Sequence, residues 1–457
     1  MSDYQQFLES KRKTHEDSGF EAVEELIPKE CFSFQSDIIR WCCKKGKSAI
    51  FAGTGLGKTL MSLSWALQVT DHTGGDVLIL APLAVAQQTV REGSKFGIEV
   101  NYCRSQSGVK PGINITNYEM LDHFDNKHFV GVVLDESSIL KAFNGKLRTV
   151  IIDSFCQTPY RLACTATPAP NDHMELGNHC QFLGVMNQSE MLATYFVHDG
   201  GDTAKWRVKG HAVEAFWQWV AGWAVMLQNP RDLGYDGDMF DLPPLNIVQH
   251  TVTPKSSRFQ GRGVAKTLND RRDARRESME DRIQKCADLV NDNPDDHWVI
   301  WCGLNKESEE LTRRIEGATE VTGSDKPEIK ERRILGFSDG SIKILVSKSE
   351  ICGFGINMQV CHNMAFVGIS DSFEQYYQAV RRCWRFGQTE QVNVHVITSE
   401  AEGAVVKNIK DKEKAFDAML SGMIAATSDL CSENIRSTVR QSDEYNPQEK
   451  MVVPSWI

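Results

Sequence analysis

Two doubly wound parallel α/β domains in tandem, with a helical insert between them, are what this chain of 457 residues predicts. Three observations predict them. Short β-branched and apolar runs alternate with helix-like stretches in two separate blocks, and parallel strands covered on both faces read as such runs. A glycine-rich turn follows the first strand, at the carboxyl end where open α/β sheets bind ligands. Between the blocks, from about 172 to 245, the alternation breaks and Trp, Met and Phe crowd together.

In chain order, residues 1–30 are an N-terminal segment that begins Met-Ser-Asp-Tyr-Gln-Gln-Phe and lacks a signal-peptide apolar region. The first domain spans 31–185, with strands expected at 48–52, 77–81, 113–116, 130–134 and 161–165 and helices such as 59–69 and 85–96 between them. The insert spans 186–245. There Phe216, Trp217, Trp219, Val220 and Trp223 have helical spacing, and packing is their expected role, since stacking on bases needs exposure. Residues 246–280 read as a linker that opens with a strand at 246–252. The second domain spans 281–426, with strands at 297–302, 320–322, 342–347, 363–367 and 392–398 and a final helix at 407–426. A polar tail, 427–457, closes on Met451-Val452-Val453-Pro454-Ser455-Trp456-Ile457, which reads as a docking peptide for a protein partner or as an untethered end.

Composition narrows the function classes. No apolar run reaches the ~20 residues that a membrane span needs. The thirteen cysteines form no Cys-x-x-Cys pair, which argues against a zinc finger or a disulfide framework and for a reducing, cytoplasmic setting. His173, His179 and Cys180 are close in sequence, but a packing or surface role fits them better than a metal site. The net charge of −10 argues weakly against a polyanion partner. Locally, however, residues 255–276 hold Lys255, Arg258, Arg262, Lys266, Arg271, Arg272, Arg275 and Arg276 against Asp270 and Asp273, a charge of +6. Such a segment can track phosphates or form a solvated helix face.

The chemistry is carried by three stretches. Phe51-Ala52-Gly53-Thr54-Gly55-Leu56-Gly57-Lys58-Thr59 is a nucleotide-phosphate loop. Its glycines let backbone N–H groups turn around phosphate oxygens, Lys58 neutralises the β and γ phosphates, Thr59 ligates Mg²⁺, and the following helix points its positive end at the anion. The full pattern asks for Gly at position 52, where this chain has Ala52. Val130-Gly131-Val132-Val133-Leu134-Asp135-Glu136 is an apolar strand ending in two carboxylates. Asp135 is expected to hold Mg²⁺, and Glu136 to orient and deprotonate the attacking water. In 378–388, a helix places Gln378, Arg382 and Arg385 at i, i+4 and i+7 on one face. From there Arg382 and Arg385 act as arginine fingers when the domains close, while Arg381 pairs with acids.

In this order the stretches resemble those of a superfamily 2 helicase, specifically the Swi/Snf-related branch of ATP-driven DNA translocases. Phe34-Gln35 resembles the glutamine motif that reads adenine, and Gly55-Leu56-Gly57-Lys58-Thr59 the phosphate loop. Ile79 to Val85 resembles motif Ia, Thr116-Asn117-Tyr118-Glu119-Met120-Leu121 motif Ib, and Asp135-Glu136-Ser137-Ser138 motif II. Thr165-Ala166-Thr167-Pro168 with Ala169-Pro170-Asn171-Asp172 resembles motif III, Gly353-Phe354-Gly355-Ile356-Asn357 motif V, and Gln378 to Gln388 motif VI. The matches cover about residues 30–400. Departures are Asp-Glu-Ser-Ser in place of Asp-Glu-Ala-His, Arg381 and Trp384 where Gly or Asp and His are usual, and Cys352 where a small residue is expected. The Trp-rich insert followed by Asn229-Pro230-Arg231-Asp232-Leu233-Gly234-Tyr235 is similar to helicases of bacteriophages and prophages.

The resemblance implies two RecA-like domains with ATP and Mg²⁺ between them. It implies a nucleotide-binding set of Gln35, Gly53, Thr54, Gly55, Gly57, Lys58, Thr59 and Gln378. Thr116, Asn117 and Gly353 are implied to contact the nucleic-acid backbone, which reads shape and charge rather than sequence, and Thr165 and Thr167 to relay nucleotide state. The implied activity is a nucleic-acid-stimulated ATPase that translocates on duplex or branched DNA, with RNA as the alternative polymer. Its implied setting is the cytoplasm, that of a bacterial host if phage-encoded. The competing reading is an ATP-dependent recruitment module for a nuclease, methyltransferase or replication partner, with little turnover. A small-molecule kinase needs no second domain bearing arginine fingers.

Overall fold

The strands of the first block assemble around β1 (Lys47–Ala52), β2 (Val77–Ala81), β3 (Val100–Tyr102), β4 (Ile113–Asn117), β5 (Gly131–Asp135) and β6 (Tyr160–Thr165). The computed structural model describes residues 17–141, 145–169, 172–199, 202–253, 268–352, 357–369 and 372–438. After β6 come an antiparallel pair, β7 (Phe196–Asp199) and β8 (Asp202–Val208), and then β9 (Ala224–Leu227). The first sheet is all parallel, in the order β3-β4-β2-β5-β6-β1-β9. Its central strands are buried along their whole length, which is why they read as unbroken apolar runs.

The second sheet is also all parallel. It contains β10 (Leu245–Val252), β11 (Trp298–Cys302), β12 (Ala318–Val321), β13 (Ile344–Lys348), β14 (Asn363–Val367) and β15 (Val392–Ser399), in the order β10-β15-β14-β11-β13-β12. The tandem α/β architecture is therefore the one expected from the sequence.

Three boundaries differ from expectation. The insert is mixed rather than helical. It holds the helices Gln188–Tyr195 and Val213–Ala221, the β7–β8 pair, and β9, which returns to the first sheet beside β1. Trp217, Trp219 and Trp223 are buried there as packing residues. The stretch Ala-Val-Met-Leu of β9 follows an equally apolar helix, and hydrophobicity without a period cannot separate the two. The region 246–280 is not a free linker: β10 is the edge strand of the second sheet, and the helices Leu268–Glu277 and Met279–Asn291 follow. The C-terminal helix runs from Gly403 to Thr438, beyond the expected end at 426. Phe416, Leu420, Met423, Thr427, Cys431 and Ile435 keep one buried stripe along it, spaced every three or four residues. Its polar faces conceal that stripe in the composition. The peptide 451–457 lies outside the described residues.

This helix bridges the two domains. Phe416 packs on Phe373 and Tyr377 of the second domain, with ring centroids 5.4 and 5.3 Å apart. Farther along, Asn434 Nδ2 donates to Ala221 O at 3.0 Å and Cys431 Sγ donates to Ala224 O at 3.5 Å, both in the first domain.

Candidate active site

Strand register assembles the site before any side chain is considered. Phe51 of β1 pairs with Thr165 of β6, and Cys164 of β6 pairs with Asp135 of β5. The start of the phosphate loop, the Thr165 segment and the acidic pair therefore leave one sheet edge side by side. Gly55 and Gly57 adopt φ +93° and +80°, which residues with a Cβ rarely hold. Ala52 is still the last residue of β1, paired with Leu227 of β9. An ordinary extended residue suits that position, so its alanine costs the loop nothing. Gly53 meets the end of β9 closely: a Cβ there would lie 3.3 Å from Gln228 O.

Lys58 opens the helix Lys58–Thr73, and Thr59 follows it. Lys58 Nζ donates to Ala52 O at 2.8 Å and to Gly53 O at 3.1 Å, folding back over the loop that it is expected to share with phosphates. Burial pushes its pKa down, opposed by the charges of Glu136 and Asp135. Gln35 braces the loop from below. Its Oε1 accepts from Phe32 N at 3.0 Å and its Nε2 donates to Leu56 O at 3.0 Å, so here both ends of the amide are engaged by the protein. Thr54 lies half-buried at the bend of the loop.

Asp135 ends β5 and Glu136 begins the turn after it. Glu136 has φ +54° and is the one non-glycine residue with positive φ among those described. A residue with a Cβ held there marks a conformation imposed by its surroundings. Tyr118 OH donates to Asp135 O at 2.7 Å, and Glu136 N donates to Asp135 Oδ1 at 3.1 Å. Glu136 Oε2 is buried without a hydrogen-bond partner. Burial first, and the Glu136 charge second, raise the Asp135 carboxyl above the ordinary carboxylate range, while Lys58 pulls it down. Two crowded carboxylates beside one ammonium fit a divalent cation with a polyphosphate. On this reading Thr59 and Asp135 would hold the Mg²⁺. Thr165 and Thr167 are buried, and Thr165 Oγ1 accepts from Thr167 N at 3.1 Å. Pro170 and Asn171 lie outside the described residues.

The second domain delivers the arginines, though not on the expected helix face. The helix Phe373–Val380 stops before them, so Arg382 and Arg385 sit on the turns that follow. Arg382 Nε donates to Gln378 O at 3.0 Å and its Nη2 donates to Gln378 Oε1 at 2.9 Å. Gln378 is thus a buried orienter of Arg382. Burial lowers the Arg382 pKa, while Glu136 and Asp135 raise it. Burial likewise brings Arg385 down to about 10, with Arg382 adding to the effect and Glu92 and Glu136 opposing it. Arg385 Nε is buried without a partner. Arg381 lies over the rings of Trp384 and Tyr377, 4.3 and 5.2 Å from their centroids, and its charge also opposes the rise that burial gives the Glu413 and Asp417 carboxyls.

The cleft between the domains is closed. Ion pairs Arg91–Glu331 and Lys141–Glu374 cross it. A Cβ on Gly55 would meet Phe386 Cβ at 2.8 Å. Phe386 stacks on Phe240 at 4.7 Å and approaches Phe32 edge-on at 6.2 Å. These aromatic contacts, the Lys141–Glu374 pair, the Tyr118–Asp135 bond and the His179–Ser137 bond were not foreseen from the sequence. Each is a tertiary pairing with no local pattern to announce it.

The expected nucleic-acid residues are less open. Thr116 is fully buried in β4 and Asn117 nearly so, with Asn117 Nδ2 donating to Glu119 Oε2 at 2.6 Å. Gly353 lies outside the described residues, as do Lys255, Arg258, Arg262 and Lys266 of the basic segment. Arg275 of that segment turns inward, 3.7 Å from the buried Glu307.

Two family domains match the chain. An SNF2-related domain matches residues 34–195, and a helicase conserved C-terminal domain matches 281–387. No curated protein sequence matches the chain. Among solved structures, it is similar to the Sulfolobus solfataricus SWI2/SNF2 ATPase core in complex with dsDNA, at 18% identity and a TM-score of 0.43, over 93% of this chain and 100% of that one. The phosphate loop and acidic pair lie in the first matched region and the two arginines in the second, so the chain joins an SNF2-related domain to a helicase conserved C-terminal domain.

Proposed function

We propose that the chain is a nucleic-acid-stimulated ATPase that translocates on or remodels duplex or branched DNA. The observation that carries this reading is the convergence, in one closed cleft, of Lys58, Asp135 and Glu136 from one domain with Arg382 and Arg385 from the other. Residues split between two domains work together only when those domains close, so hydrolysis is tied to domain motion. Mg²⁺, when bound, neutralises charge on the transferred phosphoryl group. Lys58 grips the phosphates, Glu136 takes the proton of the attacking water, and Arg382 and Arg385 face the negative charge that develops. The solved SWI2/SNF2 core is described with dsDNA, and duplex DNA is the polymer we propose here. The Asn229–Tyr235 turn supports a phage-type protein, and the twelve cysteines whose side chains are described, all free thiols, suit a host cytoplasm.

ATP hydrolysis measured without nucleic acid, then with single-stranded, duplex and forked DNA and with RNA, tests the reading. Stimulation by duplex DNA is the expected result. Stimulation by forks or RNA alone would make the protein an unwinding or remodelling enzyme, and none at all would favour a recruitment module. Lys58→Ala is expected to abolish turnover while sparing DNA binding. Turnover near wild type in that variant would refute the phosphate-loop assignment.

A further inference from the structure

The turn that presents Glu136 is held from outside itself. Its residues Ser137–Lys141 form one short 3-10 helix, an element with poor internal hydrogen bonding. Two neighbouring side chains of the helix Leu176–Leu183 fasten it. His179 Nε2 and Ser137 Oγ are hydrogen-bonded at 3.1 Å, and Asn178 Nδ2 donates to Leu140 O at 2.7 Å. Ser137, Asn178 and His179 are each no more than 1% exposed. Burial pushes His179 down to about 4, so its ring is neutral near pH 7. The ring also packs edge-on against Phe51 of β1, with centroids 5.1 Å apart.

The helix is itself anchored. Arg161 Nη1 donates to Phe182 O at 2.6 Å, and Gly184 closes the last turn in the left-handed conformation. On the opposite flank, Tyr118 holds Asp135 O. A buried polar pair gives core packing no clear advantage over an apolar pair of the same shape. Its location is what is informative: Ser137 adjoins the one left-handed non-glycine residue described, and that residue carries the hydrolytic carboxylate.

We infer that His179, acting through Ser137, is a positioning residue for Glu136, so that the helix after the Thr165–Thr167 segment sets the aim of the hydrolytic base. This rests on the ATPase reading above. Fixing the Ser137 side chain removes rotations that would swing the Glu136 carboxylate away from the phosphate loop. The far end of the same turn, Lys141, pairs with Glu374 of the second domain. The turn therefore runs from the base to the domain interface, with the His179 bond at its base-proximal end.

The test uses the full chain with the nucleic acid that stimulates it. ATP turnover, binding of a fluorescent ATP analogue and thermal unfolding are measured for wild type, His179→Ala, Ser137→Ala, the double variant and His179→Gln. Each alanine variant is expected to lower kcat by about tenfold to a hundredfold, as misplacement of a reacting group does. KM for ATP is expected to stay within about threefold of wild type, because ground-state binding is untouched. The double variant should be no slower than the slower single one, since the pair acts as a unit. His179→Gln, whose amide reaches where Nε2 sits, should recover most of the rate, a rescue that loss of packing alone would not give.

Turnover by His179→Ala within about twofold of wild type, or multiplicative losses in the double variant, would overturn the inference. If His179→Ala does not fold, Ser137→Ala, which removes one hydroxyl, decides the question by the same kcat criterion. Wild type and Lys58→Ala separate the two levels of the argument. A wild-type chain without turnover sinks the ATPase reading and this inference together, whereas an active wild type with an unimpaired His179→Ala sinks the inference alone.

Discussion

Arg385→Ala is expected to slow nucleic-acid-stimulated ATP turnover by about 10³- to 10⁵-fold, the effect of losing an arginine finger, while ATP still binds close to normally. The size follows from placement. Arg385 sits on a turn of the second domain, its Nε is buried without a partner, and the acids that attract it, Glu92 and Glu136, belong to the first domain. Burial has lowered its pKa to about 10, so near neutral pH it remains a cation kept short of solvation. A group in that condition gains most when negative charge develops beside it. Equilibrium binding of an ATP analogue together with steady-state turnover checks the prediction. Loss of binding in a folded variant would make Arg385 a structural residue. Arg382 is a poorer first target because its guanidinium also holds Gln378 through two hydrogen bonds, so its removal mixes chemistry with packing.

Glu136→Gln is expected to reduce turnover by about 10²- to 10⁴-fold, the usual contribution of a general base. Glutamine keeps the shape and removes the proton acceptor. It also removes a like charge from Asp135. Because that charge helps to raise the Asp135 carboxyl, its loss moves Asp135 back toward the ordinary carboxylate range, leaving it ionised over a wider span of pH. ATP binding should therefore persist or strengthen while hydrolysis fails, giving a long-lived complex on nucleic acid. Single-turnover hydrolysis and the lifetime of the ATP–DNA complex measure this. A rate near wild type would mean that another group activates the water.

The parts of this molecule legible in sequence were those with a local physical signature. Buried parallel strands announce themselves as apolar runs: 77–81 and 363–367 coincide with β2 and β14. The phosphate loop and the Asp135–Glu136 pair are legible because backbone conformation and strand direction alone place them. The arginines were expected on a helix that in fact stops before them, since helical spacing through 378–385 gives no sign that the helix ends at Val380. The three-residue β3 and the apolar β9 went unread because neither has a period to detect. The His179–Ser137 bond joins residues 42 apart in sequence, and nothing local marks it. Thr116 follows the motif pattern, yet its hydroxyl is enclosed in β4, because the pattern records chain position and not the direction of a side chain.

The long C-terminal helix has a consequence for the order in which this protein is made. Cys431 and Ile435 are members of the hydrophobic core of the first domain, packed in the same cluster as Ile50 of β1 and Trp65 of the phosphate-loop helix. The last described turns of the chain therefore finish what its earliest strands begin. A domain generally folds as a unit while the chain emerges N-terminus first, but this one lacks part of its interior until the whole second domain has been synthesised. Every contact that the last turns of the helix make with the first domain closes a loop of roughly two hundred residues or more, the slow kind of contact in folding. On the ribosome the nucleotide-binding half waits, incomplete, for the helix that follows the second domain.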